Sequence, residues 1–124
     1  MKFYIASHTQ FSGIQASYSC IKAGHKITSH WLLKPFHPTS SHTIKERQNI
    51  AQEDFDDITE ADALILLACQ DKVSGGKFVE AGIALGQNKP VFIIGRRENM
   101  LLWLKNIKQY DTIEELLKDL ATPV

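Results

Sequence analysis

The residues best suited to chemistry lie in SGGKFVEAGIALG, positions 74–86. Gly75 and Gly76 let a backbone approach a ligand closely, and a helix opening there presents amide groups without partners of their own. Glu80 is expected in the first turn of that helix, where the helix dipole favours an ionised carboxylate, and an ionised carboxylate suits a nucleophile. The same residues also have plainer readings. Glu80 can simply complement the helix end, and Gly82 and Gly86, with Ala81 and Ala84, can simply allow the helix to pack closely on a sheet. Asp54, Asp56 and Asp57 taken alone read as a solvated helix end. His8, His25, His30, His37 and His42 show no metal spacing, so no metal is expected. Arg96 and Arg97 form a basic spot able to hold one small anion. Trp31 and Trp103 read as core or subunit-contact residues, with Trp31 near a strand end where stacking is possible.

These groups need a scaffold. Lys2 to Ala6 (KFYIA) is a short β-branched and aromatic run followed by the polar SHTQFSG, and it reads as a first strand and its loop. Helix-compatible spacing over Ile14 to Ala23 stops at Gly24, and a second strand is predicted from about His25 to Leu33, ending at Pro35. KPFHPTSSH reads as a loop, serving as a lid or as a wall of the site. A helix from Thr43 to about Asp57 leads into ADALILLAC, an almost wholly apolar run of the kind covered on both faces. A helix from about Lys77 to Gln87, the strand PVFIIG, the loop RREN and the apolar MLLWL come next. A short strand near Ile107 to Tyr110 and a helix from Thr112 to Leu120 complete the pattern. Strands alternating with helices imply a single α/β domain over residues 1–124, flavodoxin-like or Rossmann-like, with about five parallel strands and helices on both faces. Ligands of such sheets gather outside the carboxyl ends of the strands, so SHTQFSG, QDKVSGG and GRREN should bound the cleft.

Composition narrows the function. The chain has 124 residues, 44% hydrophobic and 23% charged, which fits one ordinary globular domain. Fourteen basic residues balance fourteen acidic ones, which argues against a nucleic acid polymer as partner. Cys20 and Cys69 lack the spacing of a disulfide framework or a zinc site. The apolar stretch at the N-terminus is too short for a secretory signal and the run from Ala61 to Cys69 is too short to span a bilayer, so a cytoplasmic protein without membrane partners is expected.

The stretches FYIAS, TSHW, EDFDDITEADALILL and SGGKFVEAGIALGQNKPVFIIG together resemble the nucleoside 2-deoxyribosyltransferase family and the related deoxynucleoside 5'-monophosphate N-glycosidases. The likeness is carried by spacing: Asp54, then Asp62 opening a strand, then Glu80 in the Gly-rich helix start. It implies that Glu80 attacks C1' of the sugar to form a glycosyl ester, that Asp54 hydrogen-bonds or protonates the departing base, and that Tyr4 positions the nucleophile. Asp62 would be structural. Six residues before the Glu, the nucleoside transferases carry an Asp and the monophosphate hydrolases a Ser; this chain has Ser74, which implies a nucleotide substrate. The chain departs from the hydrolases in the loop after the first strand, where Gln10 falls in place of an Arg that grips phosphate. Phosphate would then fall to Ser7, Ser74, Gly75, Gly76 and Arg96 or Arg97. The resemblance also implies no cofactor, and a homodimer or higher homo-oligomer whose neighbouring subunit completes the pocket, with MLLWL and Trp103 as the contact or as packing within one subunit. A catalytically silent nucleotide-binding or sensor module and an NAD-cleaving glycohydrolase are the alternative readings, with flavodoxin-type electron transfer further behind.

Overall fold

A computed structural model describes residues 1–35, 42–68 and 75–122. Five parallel strands form one sheet: β1 (Lys2–Ala6), β2 (Lys26–Ile27), β3 (Ala63–Ala68), β4 (Val91–Gly95) and β5 (Lys108–Tyr110), in the order β2-β1-β3-β4-β5. Four α-helices cover it: α1 (Gln10–Lys22), α2 (Ile44–Glu60), α3 (Gly75–Gly86) and α4 (Ile113–Ala121). The expected flavodoxin-like order is therefore present. The chain leaves β1 toward β2 on one side and leaves β3 toward β4 on the other, which opens a crevice at the carboxyl ends of β1 and β3. None of the described helices is long and apolar enough to cross a membrane.

Alternation along β1 decides what faces that crevice. Phe3 and Ile5 join the layer under α1 and α4, with Ala16, Cys20 and Leu116. Tyr4 and Ala6 point the other way, into the layer under α2 and α3, with Ile58, Ala81 and Ala84. Every residue of β3 is buried, as a central parallel strand covered on both faces requires. Asp62 opens β3 and accepts from the Lys2 amide at 2.8 Å, fixing the start of β3 to the start of β1.

Two elements differ from the pattern read in the sequence. Helix α1 begins at Gln10 and not at Ile14, because Thr9 is its N-cap and accepts from the Ser12 amide; most of SHTQFSG is thus helix. The second strand is two residues long, and His30–Leu33 forms a 3-10 turn. Side chains take over the ladder there. Ser29 Oγ accepts from the Ile5 amide at 3.2 Å and Trp31 Nε1 donates to the Ile5 carbonyl at 3.0 Å, so β1 keeps its partners after β2 has turned away. That turn swings Trp31 to the mouth of the crevice. The N-terminus of α2 carries a capping box: Thr43 Oγ1 accepts from the Glu46 amide and Glu46 Oε1 from the Thr43 amide, both at 3.1 Å. Its far end has no basic residue of its own, and Lys89 reaches over to donate to the carbonyls of Thr59, at 2.6 Å, and Ala61.

Gly13 of α1 makes room for this turn. A Cβ there would lie 2.5 Å from Leu32 Cδ2 and 3.6 Å from the Trp31 ring, and Leu32 is itself buried. Gly13→Val is therefore expected to destabilise the fold by about 1–3 kcal/mol through overpacking, read as a lower urea midpoint. An unchanged midpoint would show that the Trp31 turn is not held by this close approach.

Candidate active site

A cavity of about 650 Å³ lies at the crevice and is lined by Ser7, Trp31, Ala51, Asp54, Phe55, Ile58, Gly76, Val79, Glu80 and Ile83. Three elements deliver its polar groups. Strand β1 brings Tyr4, fully buried beneath the floor, helix α2 brings Asp54, and helix α3 brings Glu80. The Tyr4 hydroxyl donates to Glu80 Oε2 across the gap between β1 and α3. Asp54 presents Oδ1, which is buried and has no hydrogen-bond partner. A buried polar atom without a partner, on a residue that lines a cavity, calls for a functional explanation.

The electrostatics of the pair differ from the sequence expectation. Helix α3 starts at Gly75, so Glu80 lies in its second turn and not its first, and the helix dipole falls off before reaching it. Burial dominates instead. It pushes Glu80 up to about 7, with the charge of Asp54 acting in the same direction and the hydrogen bond from Tyr4 opposing both. Asp54 is pushed up to about 6, first by burial, then by the charges of Asp57 and Glu53, with Lys34 opposing. Tyr4 is raised well above the ordinary phenol range, chiefly by burial and then by Glu80. Two carboxyls that exchange protons near neutrality, beside a phenol that stays protonated, can supply a nucleophile, an acid and a fixed donor at once.

Of the other residues singled out in the sequence, Ser7 and Gly76 line the cavity. Gly75 opens α3 and is exposed. Ser74 lies outside the described residues, as do Phe36 to Ser41 of the expected lid. Arg96 is exposed and is not among the residues lining this cavity. Arg97 is used by the fold: it donates to the carbonyls of Leu102 and Ile107 and stacks 5.0 Å from the Trp103 ring. Gln10 is likewise occupied, donating to the carbonyls of Trp31 at 2.9 Å and Lys34 at 2.5 Å.

Two ion pairs, each with at least one buried member, escaped the sequence reading. Lys77 is completely covered and bonds Glu98 at 2.8 Å, which pins the start of α3 to the loop after β4. Asp57 holds His30 at 2.8 Å. The partners are distant in sequence, and only the burial of Lys77, Glu98 and Asp57 reveals them. Charged residues at these spacings otherwise read as solvated.

A parallel α/β sheet that gathers two proton-exchanging carboxyls and a phenol into one crevice is the framework of a small-molecule enzyme. The family model for nucleoside 2-deoxyribosyltransferase matches residues 3–119, and the chain belongs to this family. It is thus an enzyme of the deoxyribosyltransferase kind. Among solved structures it is similar to a 2-deoxyribosyltransferase from Bacillus psychrosaccharolyticus, with 17% identity, 94% of this chain and 90% of that chain covered, and a TM-score of 0.73. A conserved protein from Enterococcus faecalis V583 follows at 16% identity, covering 95% of each chain, TM-score 0.68. The CMP N-glycosidase BcmB of Clostridium botulinum is 16% identical, with 97% of this chain and 98% of that chain covered and a TM-score of 0.60. No curated protein sequence matches the chain.

Holding Glu80 at about 7 against an ordinary 4.5 costs the fold about 3 kcal/mol at alkaline pH, at about 1.4 kcal/mol per pH unit. The folded-state value lies above the unfolded one, so the contribution of protonated Glu80 is fully present below about pH 4.5 and is lost as the pH rises to about 7. Glu80→Gln should therefore raise the Tm at pH 8, with the advantage fading toward pH 4.5. A variant less stable than the parent at pH 8 would contradict the burial account.

Proposed function

We propose that the protein cleaves the base–sugar bond of a 2'-deoxynucleoside 5'-monophosphate, by hydrolysis or by transfer of the sugar to a second base, with Glu80 as nucleophile and Asp54 as acid. The observation that supports this most is that Glu80 and Asp54 line one cavity while Tyr4, buried beneath it, donates to Glu80. Tyr4 occupies Glu80 Oε2, so Oε1 is the oxygen free to attack C1'. As the C1'–O bond forms, the C1'–N bond breaks, its electron pair goes to the base, and the Asp54 proton lets the base leave neutral. A glycosyl ester on Glu80 and an Asp54 carboxylate remain. Water then attacks C1' while Asp54 takes its proton, restoring ionised Glu80 and protonated Asp54 and retaining the sugar's configuration. A second base in place of that water gives transfer.

The nucleotide preference follows from Ser74 by its place in the sequence. Together with Ser7 and the amides of Gly75 and Gly76 it would donate to the 5'-phosphate, a dianion that a carboxylate would repel. The setting proposed is the cytoplasm, as a homo-oligomer joined through Met100, Leu101 and Trp103, which are 82%, 71% and 66% exposed in the single chain.

Incubation with a panel of nucleotides and nucleosides, followed by chromatography of the freed base, tests this. A deoxynucleoside monophosphate should react faster than its nucleoside, and Glu80→Ala should lose at least about a thousandfold in kcat/KM. Base release by Glu80→Ala at the parental rate would remove the nucleophile from the scheme. The productive form needs Glu80 ionised and Asp54 protonated, so kcat/KM should be bell-shaped, falling below about pH 6 and above about pH 7. Tyr4→Phe removes the one interaction that holds Glu80 down, so its alkaline limb should move to higher pH as the maximum drops. A limb that stays in place would mean that Tyr4 does not act on Glu80.

A further inference from the structure

Behind Asp54, on the same side of α2, lies a buried carboxylate that the chemistry above does not use. Asp57 comes one turn after Asp54 and is 7% exposed. Its Oδ2 accepts from the His30 amide at 2.9 Å, and its Oδ1 meets His30 Nδ1 at 2.8 Å. Thr28 Oγ1 donates to its main-chain carbonyl at 2.8 Å. The carboxylate is thereby held on both oxygens. One oxygen from each of Glu53, Asp54 and Asp57 lies within 4.8 Å of the others.

Such a cluster is unfavourable on a helix. Like charges three or four residues apart repel, and Asp57 stands in the last turn, where the outward carbonyls already disfavour an anion. Relief comes from the neighbouring elements. Lys34 pairs with Glu53 at 2.5 Å and His30 with Asp57, while Glu80 of α3, across the cavity, and Tyr4 of β1 supply no cation. Two of the three carboxyls thus have N–H or ammonium partners, whereas Asp54 Oδ1 is buried with none. The least costly way to relieve the repulsion is a proton on Asp54.

Taking the acid role of Asp54 from the proposed function, we infer that Asp57 is a positioning residue for that acid: a carboxylate clamped by His30 that keeps the Asp54 proton in place until the departing base takes it. Next to burial, the charge of Asp57 is the largest influence raising Asp54. His30 sets how strongly it acts, because Asp57 favours the positive form of the ring and that charge offsets part of the carboxylate's own. Once the base has gone, the same repulsion makes ionised Asp54 a stronger base toward the incoming water. Asp57 touches no substrate in this scheme and works only through its neighbour.

The test is a carbon-13 carboxyl NMR titration of Asp54 in the Glu80→Gln background, where the coupled group is removed; the substrate's phosphate also titrates near pH 6, so the midpoint is read from the protein itself. Adding Asp57→Asn should lower the Asp54 midpoint by about one pH unit, and adding His30→Ala should raise it. With Glu80 intact, Asp57→Asn should slow an ordinary deoxynucleotide about tenfold at pH 7 and leave a nucleotide of an N7-methylated purine nearly unaffected, since that base departs neutral without a proton. An unmoved midpoint in Asp57→Asn, or shifts of the same sign in both variants, would overturn the inference. Should Asp57→Asn fail to fold, His30→Ala decides alone: its side chain is 63% exposed, and absence of an upward shift refutes the clamp. The midpoint judges Asp57, whereas base release by Glu80→Ala judges the nucleophile, so the two readings fail separately.

Discussion

Tyr4 donates its hydroxyl to Glu80 from beneath the cavity floor, and the rest of the cleft is arranged around that bond. A buried carboxyl left to itself keeps its proton and cannot attack carbon. The phenol opposes burial by binding the ionised form, so the Glu80 carboxylate, the proposed nucleophile, becomes available near neutral pH. The donor must therefore be rigid, dry and itself unable to ionise. A central parallel strand meets all of these demands: β1 lies between β2 and β3, its register pairs Tyr4 with Leu64, and alternation alone turns Tyr4 toward α2 and α3 rather than toward α1 and α4.

Stability is given up around this bond. Glu80 and Asp54 are both held above their ordinary range by burial, and near its own negative end α2 brings one oxygen from each of Glu53, Asp54 and Asp57 within 4.8 Å of the others. The surrounding contacts offset the strain without removing it. Lys34, His30 and Lys89 each come from outside α2 to meet a carboxylate or a free carbonyl of that helix. The arrangement leaves one buried carboxyl oxygen without a partner, and it belongs to Asp54, the residue proposed as the acid.

Much of this could be read in the sequence, and the parts that could not have physical reasons. The buried β3 and the helix after Gly75 follow from apolar period and Gly placement, the strand order from the alternation of strands with helices, and the spacing of Asp54, Asp62 and Glu80 points to the family. β2 is shorter than its sequence pattern implies because Ser29 and Trp31 replace ladder bonds with side-chain bonds, a substitution invisible to hydropathy. A helix end alone would leave Glu80 ionised, but its setting is governed by burial and by the Tyr4 hydrogen bond, which depend on groups 76 and 26 residues away in the chain, Tyr4 and Asp54. Arg96, an anion ligand by its position in the loop after β4, is exposed and is not among the residues lining the cavity. Asp57 read as a solvated helix end, since nothing local announces that His30 will fold over it.

The central claim is that Glu80 becomes covalently bonded to the sugar. Enzyme mixed with a deoxynucleoside monophosphate, quenched in acid within one turnover and digested for peptide mass spectrometry, tests that directly. The account predicts a phosphodeoxyribosyl ester on the peptide containing Glu80, absent in Glu80→Gln. Freed base in the first turnover with no ester on any peptide, or an ester on a different side chain, would contradict it.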